Sequence, residues 1–398
     1  VQAMPSQDSQ DYKVILKQIH TDFMLPENDP LLTKLKQIHA RKHLYEIASE
    51  VCLLHAAVEC IDKSIYILKL LSGQKEYYYI YDDKNDKTYE LGHKAQTSTN
   101  SKQLGAGSQG EVVTWQGATL AQKRVTVERV VLLPDSGTNS QMAMQFRLIL
   151  DAFQAYPELE KAFIIEAPTG IEDSGATLQV NLIMRCVRGS SLDNSAQQLT
   201  AQQVNDFTRR LLLLQRAGVL VTDIKPANLM LENGNIVKID NFESMKPTEA
   251  SIQMVDYLFS PLLCADRAYG TMTSLTAAQK VWESSNQRQQ GQVPLQQIIS
   301  LFSWFMTGHF LLLNVQERKD FLNFLSENSR NSSIQWVELL AQKVCEKISL
   351  SYQEHLKGFI TTLVQFIQTP TTENRTPPLT CYEQIKISNL EQGKGLFR

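Results

Sequence analysis

Hydrophobic and polar positions change their period several times along the chain. Over residues 1–74 the spacing is helical: Leu44, Ile47, Val51 and Leu54 recur at steps of 3, 4 and 3, and Cys60, Ile61 and Ile65 extend the stripe. Gly73 closes this stretch. The pattern then shortens in KEYYYIYDDKNDKTYELGHK, where aromatic and β-branched runs flank Asp82-Asp83-Lys84-Asn85-Asp86 and predict a hairpin. Ala95–Lys102 is polar and reads as a linker. Beyond it, QLGAGSQGEVVTWQGATLAQKRVTVERVVLL alternates strand-like runs with Gly-containing turns.

A helix is expected over Ser140–Tyr156, with Met142, Phe146, Ile149 and Phe153 on one face, and strands at Gly170–Glu172 and Thr177–Met184. From Leu199 onward helices dominate. Val204, Phe207, Leu211 and Leu214 mark one, and Leu295–Thr307 a very apolar one. The Gln-rich NQRQQGQVPLQQ before it reads as a polar loop, and no internal repeat is visible. Segregated strands and helices predict an α+β architecture and not an alternating parallel sheet. The expected division is a helical N-terminal extension (1–74), a strand-rich segment with the extra hairpin (75–187) and a mainly helical segment (188–398).

Composition narrows the class. The 398 residues are 43% hydrophobic and 20% charged, enough to bury a core without disulfide or metal staples. With 39 basic against 42 acidic residues the net charge is −3, which argues against a generally basic nucleic-acid binder. Cys52, Cys60, Cys186, Cys264, Cys345 and Cys381 include no CxxC pair and read as reduced thiols of a cytoplasmic protein. The start, VQAMPSQDSQD, has neither a basic n-region nor an apolar h-region, so no signal peptide is expected; the missing initiator Met suggests a fragment. The longest apolar run, Ile298–Leu313, is broken by Ser300, Ser303, Gly308 and His309 and is short for a bilayer span.

Three motifs carry chemistry. Gly105-Ala-Gly107-Ser-Gln-Gly110-Glu-Val112 fits G-x-G-x-x-G-x-V at every fixed position. Glycines there let a strand–turn–strand approach phosphates without Cβ clashes and expose N–H groups to an anion. Gly110 leads into the strand-like EVVTW, which rejects the dinucleotide-binding version, where a helix must come next. Thirteen residues on (123 − 110), Leu120-Ala121-Gln122-Lys123 places a lysine that can pair with phosphates, with a solvated strand lysine as the bland alternative. Third, Val221-Thr222-Asp223-Ile224-Lys225-Pro226-Ala227-Asn228 sets Asp and Asn five apart (228 − 223) between a helix and the strand-like Asn235–Ile239.

Together these motifs make residues 100–385 resemble a divergent eukaryotic-type, Ser/Thr-like protein kinase. The resemblance implies a bilobal fold with a β-rich N-lobe and a helical C-lobe, and transfer of the ATP γ-phosphoryl to a hydroxyl of a protein or a phospholipid. It implies Asp223 as base and Lys225 at the γ-phosphate. Gly105, Gly107, Gly110, Val112, Lys123, Met184 and Val187 would hold the nucleotide, the last two through the hinge-like Leu182-Ile-Met184-Arg-Cys-Val187. Asn228 with Asp240 or Asn241 would hold Mg²⁺ or Mn²⁺. Phe259-Ser260-Pro261 resembles the end of an activation segment, and Arg375 the C-lobe arginine.

The departures are informative. Val221 and Thr222 replace the His and Arg of the catalytic loop, so activation by a phosphorylated segment is not expected. In VKIDNFE the metal carboxylate is either missing, with Asn241-Phe242-Glu243 in register, or supplied by Asp240 after a one-residue slip. Residues 136–150 contain no acid to pair Lys123; Gln145 stands near the expected place, and Asp151 is an alternative partner. Leu262 and Gln297 replace two further acids of the family pattern. The eroded motifs and the N-terminal preamble resemble eukaryotic-like effector kinases of intracellular bacterial pathogens, which implies a cytoplasmic protein or one secreted into a host cytosol. A nucleotide-binding pseudokinase, or another nucleotide transfer on the same fold, is the competing reading. Finally, Lys34, Lys36, His39, Arg41, Lys42 and His43 crowd into KLKQIHARKH. They read as a solvated basic face or as a site for a host anionic activator such as an inositol polyphosphate.

Overall fold

A computed structural model describes residues 22–44, 50–54, 64–97, 101–107, 110–128, 141–173, 177–193, 197–217, 219, 221, 224–239, 304–327, 333–354, 356–358, 361 and 387–398. They form a mixed α+β structure with antiparallel sheets in the N-terminal half and helices later. The chain divides into two compact units, Val1–Ala155 with Ile164–Cys186, and Tyr156–Phe163 with Val187–Arg398. Among the described residues no helix is long and apolar enough to cross a membrane.

The first unit holds two five-stranded sheets. One runs in chain order: β1 (Asp22–Met24), β2 (Glu50–Leu54), β3 (Ile65–Ser72), β4 (Lys75–Asp82) and β5 (Lys87–Ala95). The helical reading of residues 1–74 is therefore wrong for most of what is described there. Only α1 (Pro30–Lys42) is helical, while Val51 and Leu54 lie on a strand paired to Leu70 and Ile67. The 3-4-3 spacing misled because a short apolar run satisfies helix and strand alike, and pairing with the β-branched IYILKLL decides for strand. The expected hairpin across Asp82–Asp86 is β4–β5.

This sheet is covered on both faces, which explains the consecutive buried residues of YYYIY in β4. Tyr77, Tyr79 and Tyr81 share a core with Leu68 and Leu70 and with Leu32 and Leu35 of α1. Asp29 caps α1, its carboxylate accepting from Leu31 N–H at 2.8 Å, and Pro30 stands at the first helical turn. The opposite face meets α2 (Gln141–Ala155), through Tyr89 against Phe153 and Asp82 against Arg147.

The second sheet is ordered β6 (Ser101–Gly107), β7 (Gly110–Trp115), β8 (Leu120–Glu128), β10 (Thr177–Arg185) and β9 (Ala167–Asp173). Gly92 of β5 approaches it so closely that a Cβ would lie 2.8 Å from the Thr119 carbonyl oxygen, and its φ of +143° suits only glycine.

The second unit is built on α3 (Ala201–Arg216), whose Val204, Phe207, Leu211 and Leu214 are all buried. Phe207 packs on Trp304 of the helical segment 304–312, with ring centroids 4.5 Å apart, and Trp304 Nε1 donates to Thr208 Oγ1 at 2.8 Å. After α3 come a three-residue turn of 3-10 helix at Pro226–Asn228 and the hairpin β11 (Leu229–Glu232) and β12 (Asn235–Lys238). Among the described residues, α4 (Val315–Glu327), α5 (Ser333–Cys345) and α6 (Ile387–Glu391) follow.

Candidate active site

Strand register brings together the glycine-motif residues and Lys123 of the first unit. Gly107 pairs with Gly110, so β6 and β7 converge at the two positions between them, Ser108 and Gln109, which lie outside the described residues. Gly105 stands opposite Val112, Val112 opposite Lys123, and Lys123 opposite Leu182; Ala121 stands opposite Met184. Directly opposed side chains of an antiparallel pair share a face, as do alternate residues of one strand. Val112, Ala121, Lys123, Leu182 and Met184 therefore line one face beside the paired glycines.

The same alternation answers the bland alternative for Lys123. Along β8, Ala121, Lys123 and Val125 are buried, while Arg124 and Thr126 are exposed. Lys123 is only 5% exposed, so it is not a solvated strand lysine like its neighbour. An apolar face carrying one desolvated cation next to a glycine pair fits the base and phosphates of a nucleotide. Sequence reasoning missed Ala121; the strand alternation of LAQKRV held that signal. Leu104 of β6 is 48% exposed at the irregularity that shifts the register between Gln103 and Gly105.

In the second unit, Val187 comes shortly after the end of β10 and is half-buried. Lys225 is extended, and its carbonyl accepts from Asn228 N–H at 3.0 Å to close the 3-10 turn. Asn228 is 8% exposed, and its carbonyl accepts from Ile239 N–H at 2.9 Å. This bond extends the β11–β12 pairing and brings the chain up to residue 239 beside Asn228. From below, Thr307 Oγ1 donates to the Ile224 carbonyl at 3.2 Å. Val221 and Ile224 are buried, so apolar side chains anchor this loop between its polar ones.

Thr222, Asp223, Asp240, Asn241, Phe242, the segment 241–261, Gln297, Arg375 and the side chain of Gln145 lie outside the described residues. Among the described residues no group of three or more His, Cys, Asp or Glu side chains is placed to hold a metal ion. Asp151 has partners away from the lysine strand: Lys84 Nζ donates to it at 3.0 Å and Asn85 at 2.9 Å. Burial alone would raise its carboxyl, but the Asn85 and Lys84 hydrogen bonds and the nearby Arg147 hold it below the usual carboxylate range.

The basic helix is largely occupied. Lys34 bonds Asp86 and Tyr81, and Lys42 and His43 both bond Glu90, His43 at 2.6 Å. Burial would raise the Glu90 carboxyl, yet these two partners hold it below its ordinary range. His39 is buried against Tyr77, with its Nδ1 2.8 Å from the Tyr79 hydroxyl. Of the basic run, Lys36, Arg41 and Lys42 are exposed, Lys34 and His43 are half-buried and His39 is buried, so only part of it forms a solvated basic face.

Compared with known protein families, the sequence matches no family model, and a search of curated proteins finds no significant match.

Proposed function

We propose that the chain is an atypical phosphotransferase that moves the γ-phosphoryl of ATP to a hydroxyl acceptor, a protein Ser/Thr side chain or a phospholipid. The observation that carries the reading is the register of the second sheet, in which the paired glycines, Val112 and a buried Lys123 share one face. In this reading Lys123 orients the α/β-phosphates, and Val112, Ala121 and Met184 contact the base. Asp223 accepts the hydroxyl proton, and Lys225 neutralises charge on the transferring group. Asn228 with Asp240 or Asn241 would hold Mg²⁺ or Mn²⁺, which would supply charge neutralisation at the phosphates. The loop order of helix, turn and hairpin around Asn228 supports this assignment.

The second reading, a nucleotide-binding pseudokinase, is favoured by one feature. Buried, apolar Val221 stands where the family carries the first polar residue of its loop. An inositol polyphosphate activator at α1 would have to compete with Asp86 and Glu90 for Lys34 and Lys42, which makes that helix a poor anion site.

The two readings separate in one experiment. ATP with Mg²⁺ or Mn²⁺ should raise the melting temperature of the wild type, and radiolabel should pass from γ-labelled ATP to an acceptor. Asp223→Ala should lower transfer by about 10²–10⁴-fold while leaving ATP-dependent stabilisation intact, since a base contributes to rate and little to ground-state binding. ATP stabilisation without any transfer, unchanged in Asp223→Ala, would establish the pseudokinase instead.

A further inference from the structure

The first sheet touches two other elements of the first unit, β8, which carries Lys123, and α2. At one end of β5, the Thr119 N–H donates to the His93 carbonyl at 3.0 Å, and His93 N–H donates to Thr119 Oγ1 at 2.9 Å. Thr119 directly precedes β8, which carries Lys123. At the other end, the β4–β5 turn grips the middle of α2. Arg147 donates to Asp82 at 2.8 Å and to Ser64, while Lys84 and Asn85 donate to Asp151. Arg147 and Asp151 are one helical turn apart, 3.4 Å from each other, so both ties act on one face of α2. Between the ends, Tyr89 of β5 meets Phe153 of α2 edge-on, with ring centroids 6.4 Å apart. From Lys87 to His93 the strand spans about 20 Å.

Asp82 is fully buried, and Asn85 also donates to it at 2.7 Å. A buried carboxylate is tolerated only when paired and hydrogen-bonded. The grip is therefore specific: α2 has one rotation in which Arg147 reaches Asp82. The sole acid of α2, Asp151, is committed to the turn, so the helix is located from the side of the first sheet.

We propose that the first sheet is a built-in bracket that fixes α2 relative to the Lys123 strand, with Arg147 as its positioning residue. The proposal rests on the phosphotransferase reading for its functional half: active geometry is then held permanently, without a phosphorylated activation segment. Arg147 touches no reacting atom in this scheme and acts through the placement of α2.

The test uses the full chain with ATP and Mg²⁺, in the variants Lys84→Ala/Asn85→Ala, Arg147→Ala and Arg147→Lys. Two readouts are recorded: amide hydrogen exchange across α2, and kcat separately from KM for ATP. The double variant and Arg147→Ala should speed exchange at residues 147–155 by about tenfold, the size expected when one or two hydrogen bonds of this kind are lost. Exchange in β3 and β4 should stay unchanged. kcat should fall by a similar factor with KM for ATP within twofold, and Arg147→Lys, which keeps a cation facing Asp82, should recover most of it. Should Arg147→Ala fail to fold, the double variant, whose substitutions lie on the β4–β5 turn and leave the Arg147–Asp82 pair in place, decides the question. Unchanged α2 exchange overturns the bracket, and faster exchange with unchanged kcat overturns the positioning role. A wild type that transfers no phosphoryl group refutes the phosphotransferase reading, while α2 exchange still decides the bracket.

Discussion

Acid should destabilise the second unit through His309. This side chain is 1% exposed on the helical segment 304–312, edge-on to Phe321 at 5.0 Å. Its Nδ1 is buried with no hydrogen-bond partner among the described residues. Burial, with smaller contributions from Lys347 and Lys343, pushes its pKa from 6.5 down to about 4. Because the folded value is depressed, the unfolded chain takes up the proton first. The stabilisation is complete above pH 6.5 and is lost as pH falls from 6.5 toward 4. At 1.36 kcal/mol per pH unit, protonation of the unfolded chain removes about 1.4 kcal/mol at pH 5.5 and about 2.5 kcal/mol at pH 4.5. Other groups also titrate, so the measurement is a difference. Denaturant unfolding of wild type and of His309→Leu, similar in volume and unable to ionise, is recorded at pH 7.5, 5.5 and 4.5. Relative to the variant, the wild type should lose these amounts. Parallel pH curves for the two proteins would refute the assignment of a neutral, buried imidazole.

Packing sets two further outcomes. Phe397 is buried against Trp304 and Phe305, and a Cβ on Gly308 would come within 2.7 Å of its ring. Phe397→Ala should cost about 3–5 kcal/mol, read as an earlier unfolding transition of the second unit, with Asn205 still bonded to the main chain of residue 397. Gly92→Ala places a Cβ 2.8 Å from the Thr119 oxygen in a left-handed backbone and should cost about 1–3 kcal/mol. Amide exchange at Thr119 should rise with it; a silent substitution would show that β5 does not press on this turn.

What the sequence by itself determined was the local chemistry. The helices at Gln141–Ala155 and Ala201–Arg216 were legible because each presents one apolar stripe at helical spacing. The β4–β5 hairpin was legible because aromatic runs flank a polar turn, and the glycine-rich β6–β7 pair because glycines and β-branched residues mark it locally. Lys123 could be named, but not told from a solvated lysine: one residue's burial depends on which neighbours its strand acquires. The first 74 residues were misread for a related reason. Leu44, Ile47, Val51 and Leu54 satisfy helical spacing, but Val51 pairs with Leu70, a partner 19 positions away (70 − 51) that no local window contains. The polar cluster on α2 was equally invisible, since Asp82 and Arg147 are 65 residues apart and each looks like an ordinary surface charge. The basic run of α1 reads as a free cationic face until Asp86 and Glu90 are found against it. Periodicity and turn chemistry act over a few residues. Pairing partners, burial of charge and the occupant of each cation are long-range, and only the tertiary structure decides them.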